Sequence, residues 1–216
     1  MNTKKVSIYM RNILYILFLG LILQSCYTKY SICLSSVESP DNTKERFGKT
    51  KITSIKDVNL SKYRYEDTYI DIVWYVSSTK FNFELKNKSE HTIKINWDDV
   101  SYVDIKGKTK RVMHAGVNYT DRNNSQPPTS IPKNAIISDV LLPTDNVSPI
   151  TDGETIVMFE RDLIRSSYNS MQEYNIEMKN LKGKKMMILM PIVIENIQND
   201  YIFEFTLEEL INNKPQ

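Results

Sequence analysis

From Thr68 onward the apolar residues of this 216-residue chain recur at every second position, in short runs separated by turn residues. Lys80-Phe81-Asn82-Phe83-Glu84-Leu85-Lys86 puts Phe81, Phe83 and Leu85 on one face. Thr92 to Trp97 does the same with Ile93, Ile95 and Trp97. Successive side chains of a strand point to opposite faces, so this pattern fits strands with one dry and one wet side, as in antiparallel sheets. The two runs, joined by Asn87-Lys88-Ser89-Glu90, are expected to pair as a hairpin. Tyr69–Val76, dense in β-branched and aromatic types, is a further strand. Val100–Ile105 and Arg111–Val117 flank a turn at Gly107-Lys108. Ala135–Leu142 is a strand ended by Pro143, and Val147–Ile150 and Glu154–Phe159 flank Thr151-Asp152-Gly153. Leu163, Ile164, Ser167, Tyr168 and Met171 have helical spacing within 160–178. Lys185–Glu195 is almost continuously apolar, as a central strand is, and Pro191 within it implies a bulge or an unpaired backbone position. A turn at Gln198-Asn199-Asp200 leads into Tyr201–Leu207. Many short strands and little helix predict an all-β fold, an immunoglobulin-like antiparallel β-sandwich over residues 66–210, with 211–216 as a polar tail.

The N-terminus has a different composition. Lys4, Lys5 and Arg11 precede an apolar run from Ile13 to Leu23, which ends in Leu23-Gln24-Ser25-Cys26. A basic head, a short apolar core and a small residue before the cut make a secretory signal peptide, residues 1–25. The run is too short to span a bilayer, which takes about 20 apolar residues. Leu23, Ser25 and Cys26 resemble the lipobox of bacterial lipoproteins. The resemblance implies acylation of the Cys26 thiol, cleavage before it and anchoring of the protein to a membrane. Residues 26–65, with Ser35, Ser36, Ser39, Pro40 and the mixed charges Lys44-Glu45-Arg46, are expected to be a lipidated, flexible tether. Cys33 then has no intramolecular partner, so the fold does not depend on a disulfide.

Charge narrows the functional classes. Residues 1–25 hold three of the 28 Lys and Arg and none of the 26 Asp and Glu, so the rest of the chain carries a formal charge of −1. That excludes a basic footprint for nucleic acid. Two histidines and six glycines leave little for zinc, acid–base catalysis or a phosphate loop. Asp98, Asp99 and Asp104 lack the spacing of a calcium loop. His114 with Asp121 and a nearby Ser has no nucleophile elbow, so no catalytic residue, metal or cofactor is assigned and the chain is not read as an enzyme. The long irregular segment 118–134 collects Asn118, Tyr119, Asp121, Arg122 and Gln126 after His114. Aromatic and amide-rich loops on a rigid scaffold suit polar ligands or protein partners.

Trp97-Asp98-Asp99-Val100, Arg111 to Val117, Ile131-Pro132 through Pro143-Thr144-Asp145, and Pro191 to Ile194 followed by Tyr201 to Phe205 resemble uncharacterised lipoproteins of Bacteroides-type bacteria. That resemblance covers most of the chain after the anchor and implies a cell-envelope β-sandwich with no assigned activity. Lipoproteins of that group exposed on the outer face resemble one another in acidic residues after the acylated Cys. Here Tyr27-Thr28-Lys29-Tyr30-Ser31 follows instead, which implies an outer-membrane position facing the periplasm. The expected function is a non-catalytic protein-interaction or assembly module. The alternative is a glycan- or small-molecule-binding accessory lipoprotein using the 118–134 loop.

Overall fold

The computed structural model describes residues 29–38, 50–56, 61–152, 155–165 and 168–211. The expected signal peptide, Cys26 and the residues of the polar tail after 211 lie outside them. The described chain is all-β and antiparallel, with fourteen strands and one α-helix, α1 (Met171–Leu181). One sheet of twelve strands runs through the molecule. Its first half holds β1 (Lys29–Glu38), β14 (Ile197–Ile211), β13 (Lys185–Ile194), β7 (Ser101–Val103) and β8 (Thr109–Met113) in that order. Its second half continues through β10 (Ile136–Pro143), β5 (Phe81–Asn87), β4 (Ile70–Val76), β3 (Ser61–Glu66) and β2 (Lys51–Lys56). The short β6 (Ile93–Ile95) pairs with β13 and with β9 (Thr129–Ile131). The remaining pair, β11 (Val147–Asp152) and β12 (Thr155–Glu160), forms a two-stranded hairpin of its own.

The halves are joined where β10 leaves β5 after Leu141 and meets β8 through Leu142 and Pro143. They pack face to face through the alternating residues that the sequence places inward. Trp74, fully buried on β4, lies 5.1 Å from Phe83, 5.0 Å from Phe203 and 5.5 Å from Phe205, measured between ring centroids. Phe81 touches Tyr102 and Phe205 towards one end of the core, and Tyr65 touches Tyr201 and Phe203 towards the other. At that other end the buried Asp67 carboxylate accepts the Tyr65 and Tyr201 hydroxyls and the Tyr69 and Ile70 amides. Burial pushes this carboxyl above its ordinary range, against the effect of those four bonds.

Several expectations need correction. The stretch read as a flexible tether supplies β1, β2 and β3. β1 pairs with β14 along its length, Leu34 is buried, and Tyr63 and Tyr65 of β3 belong to the core. Its apolar alternation is short, Tyr30, Ile32 and Leu34 in β1 and Tyr63 and Tyr65 in β3, and is flanked by polar and charged residues; β14 and β4 provide the dry surface that recruits it. The hairpin expected between Phe81–Leu85 and Ile93–Trp97 does not form. β5 pairs with β4 and β10, while β6 crosses to the other half. The cause is Asn87, whose buried amide donates to the carbonyls of His91 and Ile131 and whose Oδ1 accepts from Ser89, which makes a corner instead of a reversal. The β13–β14 turn is at Glu195-Asn196, both at positive φ (52° and 63°), rather than at 198–200. β14 reaches Ile211, beyond the expected end of the last strand.

Pro191 pairs opposite Asp200 without a register shift, so there is no bulge between β13 and β14. On its other side β13 meets β7 at Met187–Leu189 and β6 at Ile192–Val193, and Pro191 falls in the gap where no amide is needed. The helix starts later than its spacing implied because Ser170 caps it, its Oγ accepting from the Glu173 amide.

Candidate binding surface

The wet side of the second half-sheet is concave. Register places Lys62, Tyr75, Asn82 and Val140 side by side across β3, β4, β5 and β10, with Arg64, Val73, Glu84 and Ser138 in the next row. Between the rows lies a groove of about 460 Å³, open on one side, whose wall is completed by Ala115 and Asp139. Half-buried Val73, Tyr75 and Val140 form its floor, and Glu84 is exposed. Asn82 is held against the sheet, its amide donating to the Tyr75 carbonyl at 3.4 Å. Arg64 is turned aside by a two-pronged bond to Asp71, at 2.7 and 2.6 Å. Since four paired strands carry these side chains, the groove is preformed. Groups of both charge signs beside an apolar floor suit a segment of mixed character.

Behind the wall formed by Ala115 and Asp139 sits His114, the first of the loop candidates and not itself a lining residue. Its ring lies parallel to Trp97, 4.1 Å away, and its Nδ1 is 3.2 Å from Asp139 Oδ2. Asp139 Oδ1 accepts the amides of Ala115 and Val140, at 2.8 and 2.7 Å. This carboxylate fills the wedge where β8 and β10 splay apart beyond their short pairing, and it satisfies backbone donors that no strand meets there. The partner of His114 is thus Asp139, not Asp121. Nothing in the local sequence signals this, because the two are brought together by the β8–β10 crossing.

The other loop candidates bond mainly to one another. The Arg122 guanidinium covers the Tyr119 ring at 3.7 Å and donates to the Tyr119 carbonyl. Tyr119 also packs on the small cluster of Met113, Leu142 and Val147. Asp121 accepts from Asn124, and the Asn118 carbonyl accepts from the Asp121 amide. Gln126 is buried; its Nε2 donates to the Val112 carbonyl and its amide to Asp98 Oδ1. Asp98 in turn takes bonds from Arg111 and Ser125, and these, together with the Gln126 amide, hold its carboxyl below the ordinary range. The loop is therefore an ordered cover over β8, fastened by a side chain that the sequence offered only as a rejected calcium ligand.

Cys33 sits half-buried on β1 opposite Thr206. Burial, and then a hydrogen bond to Glu208, pushes its thiol up to about 12, so it is a poor nucleophile at neutral pH. Among the described residues no group of three or more His, Cys, Asp or Glu is arranged to hold a metal ion, and no helix is long and apolar enough to cross a membrane. Compared with family models, with curated proteins and with solved structures, the chain matches none.

Proposed function

We propose that this chain is a lipid-anchored, non-catalytic interaction module of a bacterial cell envelope, related to Bacteroides-type lipoproteins and built as an immunoglobulin-like β-sandwich. Cys26 carries the lipid, and the anchor holds the domain on the periplasmic side of the outer membrane. The observation that carries the binding role is the groove across β3, β4, β5 and β10. It is a rigid concave sheet face with an apolar floor and both charge signs nearby, which suits an extended segment of an envelope protein. Face-to-face packing of two antiparallel halves around Trp74 supports the finer fold reading. The bonding of the 118–126 loop to itself favours the groove over the loop as the contact surface.

The test is crosslinking of the natively processed protein in intact cells, followed by mass spectrometry, for the parent and for Tyr75→Ala and Val140→Asp. Reproducible capture of one or a few envelope proteins, lost in both variants while the fold is kept, supports the reading. Equal capture by parent and variants moves the contact away from the groove. Failure to capture any protein, combined with binding to immobilised glycans, replaces the partner by a sugar.

A further inference from the structure

We infer that one end of the folded sheet rests on the bilayer and that the β11–β12 hairpin forms a second, non-covalent contact with lipid; this rests on the reading of Cys26 as the anchor. The strand registers define two ends. The turns at Asp67–Tyr69, Asn87–His91 and Glu195-Asn196 lie at one. The turns at Ser77–Lys80 and Asp104–Lys108, the start of β13 and the start of β1 lie at the other. Only Tyr27 and Thr28 separate Cys26 from Lys29, the first residue of β1. Three residue steps span at most about 11 Å, so an acyl chain on Cys26 brings the start of β1 to the headgroups.

The hairpin is rooted at this same end. Glu160 of β12 pairs with Lys80 at 3.0 Å and accepts from Thr79, while Arg161 donates its amide to the Asn146 carbonyl and Leu163 to that of Ser78. Its length is also suitable. The β1–β14 ribbon continues from Thr206, opposite the first residue of β13, to Ile211, five residues or about 17 Å further. A six-residue strand such as β11 is about 20 Å long.

Its surface is apolar where a two-stranded hairpin facing water should not be. Ile150 and Val157 are cross-strand partners, 46 % and 51 % exposed, with Phe159 at 49 % on their face. Met158, 41 % exposed, is opposite Pro149 on the reverse face. A two-stranded hairpin is marginal by itself in water. A flat protein partner covers one face, whereas lipid headgroups and upper acyl segments enclose both. The C-terminus of α1 closes the core at this end with the buried Leu181, Gly183 donating to the Leu207 carbonyl.

The experiment uses the full chain, processed in its host and reconstituted into phosphatidylcholine vesicles. An environment-sensitive fluorophore is attached at Val157→Cys or, as the control at the opposite end, at Ile197→Cys. Both labelling sites are introduced in a Cys33→Ser background, because the half-buried Cys33 thiol would otherwise compete for the dye. Mass spectrometry of the same sample reads the acylation of Cys26. With Cys26 acylated, the inference requires a blue-shifted emission at 157 that is mostly lost when doxyl-labelled lipid is included, and an unchanged emission at 197. Acylated protein whose 157 label is insensitive to doxyl lipid overturns the lipid contact alone; if that emission is blue-shifted, the hairpin is covered by protein. An unacylated Cys26 overturns the anchor and this inference together.

Discussion

The indole of Trp97 and the imidazole of His114 lie parallel, 4.1 Å apart, with Asp139 bonded to the far edge of the imidazole. This stack is the hinge pin of the molecule. Trp97 belongs to the first turn after β6, His114 follows β8, and Asp139 is on β10, so three segments meet where one half of the sheet passes into the other. A histidine held on its face and at Nδ1 works as a packing residue with one oriented hydrogen bond. His114→Ala is expected to lower unfolding stability by about 1–3 kcal/mol, since it opens a void beside Trp97 and removes one of the three bonds that the Asp139 carboxylate accepts. His114→Phe should recover part of that loss by restoring the stack. Urea unfolding of both variants decides the matter, and equal stability of His114→Ala and parent would refute the packing role.

Glu204 supplies the pH dependence of the N-terminal strand. Its Oε1 accepts from Ser35 at 3.3 Å, from Ser36 at 3.0 Å and from Lys185 at 2.7 Å, linking β1, β14 and β13. Burial opposes ionisation here, but the bonds from Lys185 and the two serines prevail and hold the carboxyl below its ordinary range. A depressed pKa means that the native state binds fewer protons than the unfolded chain. The stabilisation is therefore full above the ordinary glutamate range and is lost as the pH falls through the lower native value. Stability of the parent should drop more steeply on acidification than that of Glu204→Gln. Parallel curves from pH 7 down to acid unfolding would remove Glu204 from this role.

The parts of this fold visible in the sequence are those in which one strand carries its own pattern. Phe81-Phe83-Leu85 and Ile93-Ile95-Trp97 are buried as their alternation implies. In the continuous run Met186–Ile194, by contrast, Met187, Leu189 and Val193 are only half-buried, so one face of that strand is less covered than its apolar continuity implies. Pairing is a property of two strands and was less visible. The Asn87 corner looks like any polar turn until its amide is seen bonded to Ile131, 44 positions away. β1 alternates only over Tyr30, Ile32 and Leu34 and β2 has just Ile52 and Ile55, patterns too short to announce a strand, although Leu34 with Ile32, Cys33 and Val37 docks β1 on the core. The candidates from His114 to Gln126 were legible as a polar cluster at the start of the irregular segment 118–134, but their order was not, because the organising carboxylates, Asp98 and Asp139, come from outside it. The groove was not visible at all. Its residues are the wet positions of four strands, and only cross-strand register brings Lys62, Tyr75, Asn82 and Val140 together.

The β13–β14 turn stores removable strain. Glu195 and Asn196 both have positive φ, and a glutamate there pays for the contact of its Cβ with the backbone. Two-residue hairpin turns of this kind favour Asn-Gly or Asp-Gly. Glu195→Asn should raise stability by about 0.5 kcal/mol, as turn optimisation commonly does, with the Glu195–His91 contact at 3.6 Å too exposed to matter. An unchanged or lower thermal midpoint would show that the turn is set by its neighbours and not by its own residues.

The strand next to the proposed anchor gives the most demanding case. β1 adds a whole edge to the sheet, its Leu34 is 4 % exposed within the main core, and Ser35 and Ser36 bond to Glu204. A tether could be cut without thermodynamic consequence, but a paired strand cannot. Leu34→Ala is expected to cost about 2–5 kcal/mol, the range for a large aliphatic side chain removed from a core. A chain beginning at residue 39 should lose cooperative unfolding or show a much lower midpoint, because the wet and dry sides of β14 would both lose their neighbour along one edge. Calorimetry on the two variants measures this. An unaltered melt for the shortened chain would restore residues 27–38 to the status of a linker, and with it the freedom of the domain to stand away from the bilayer.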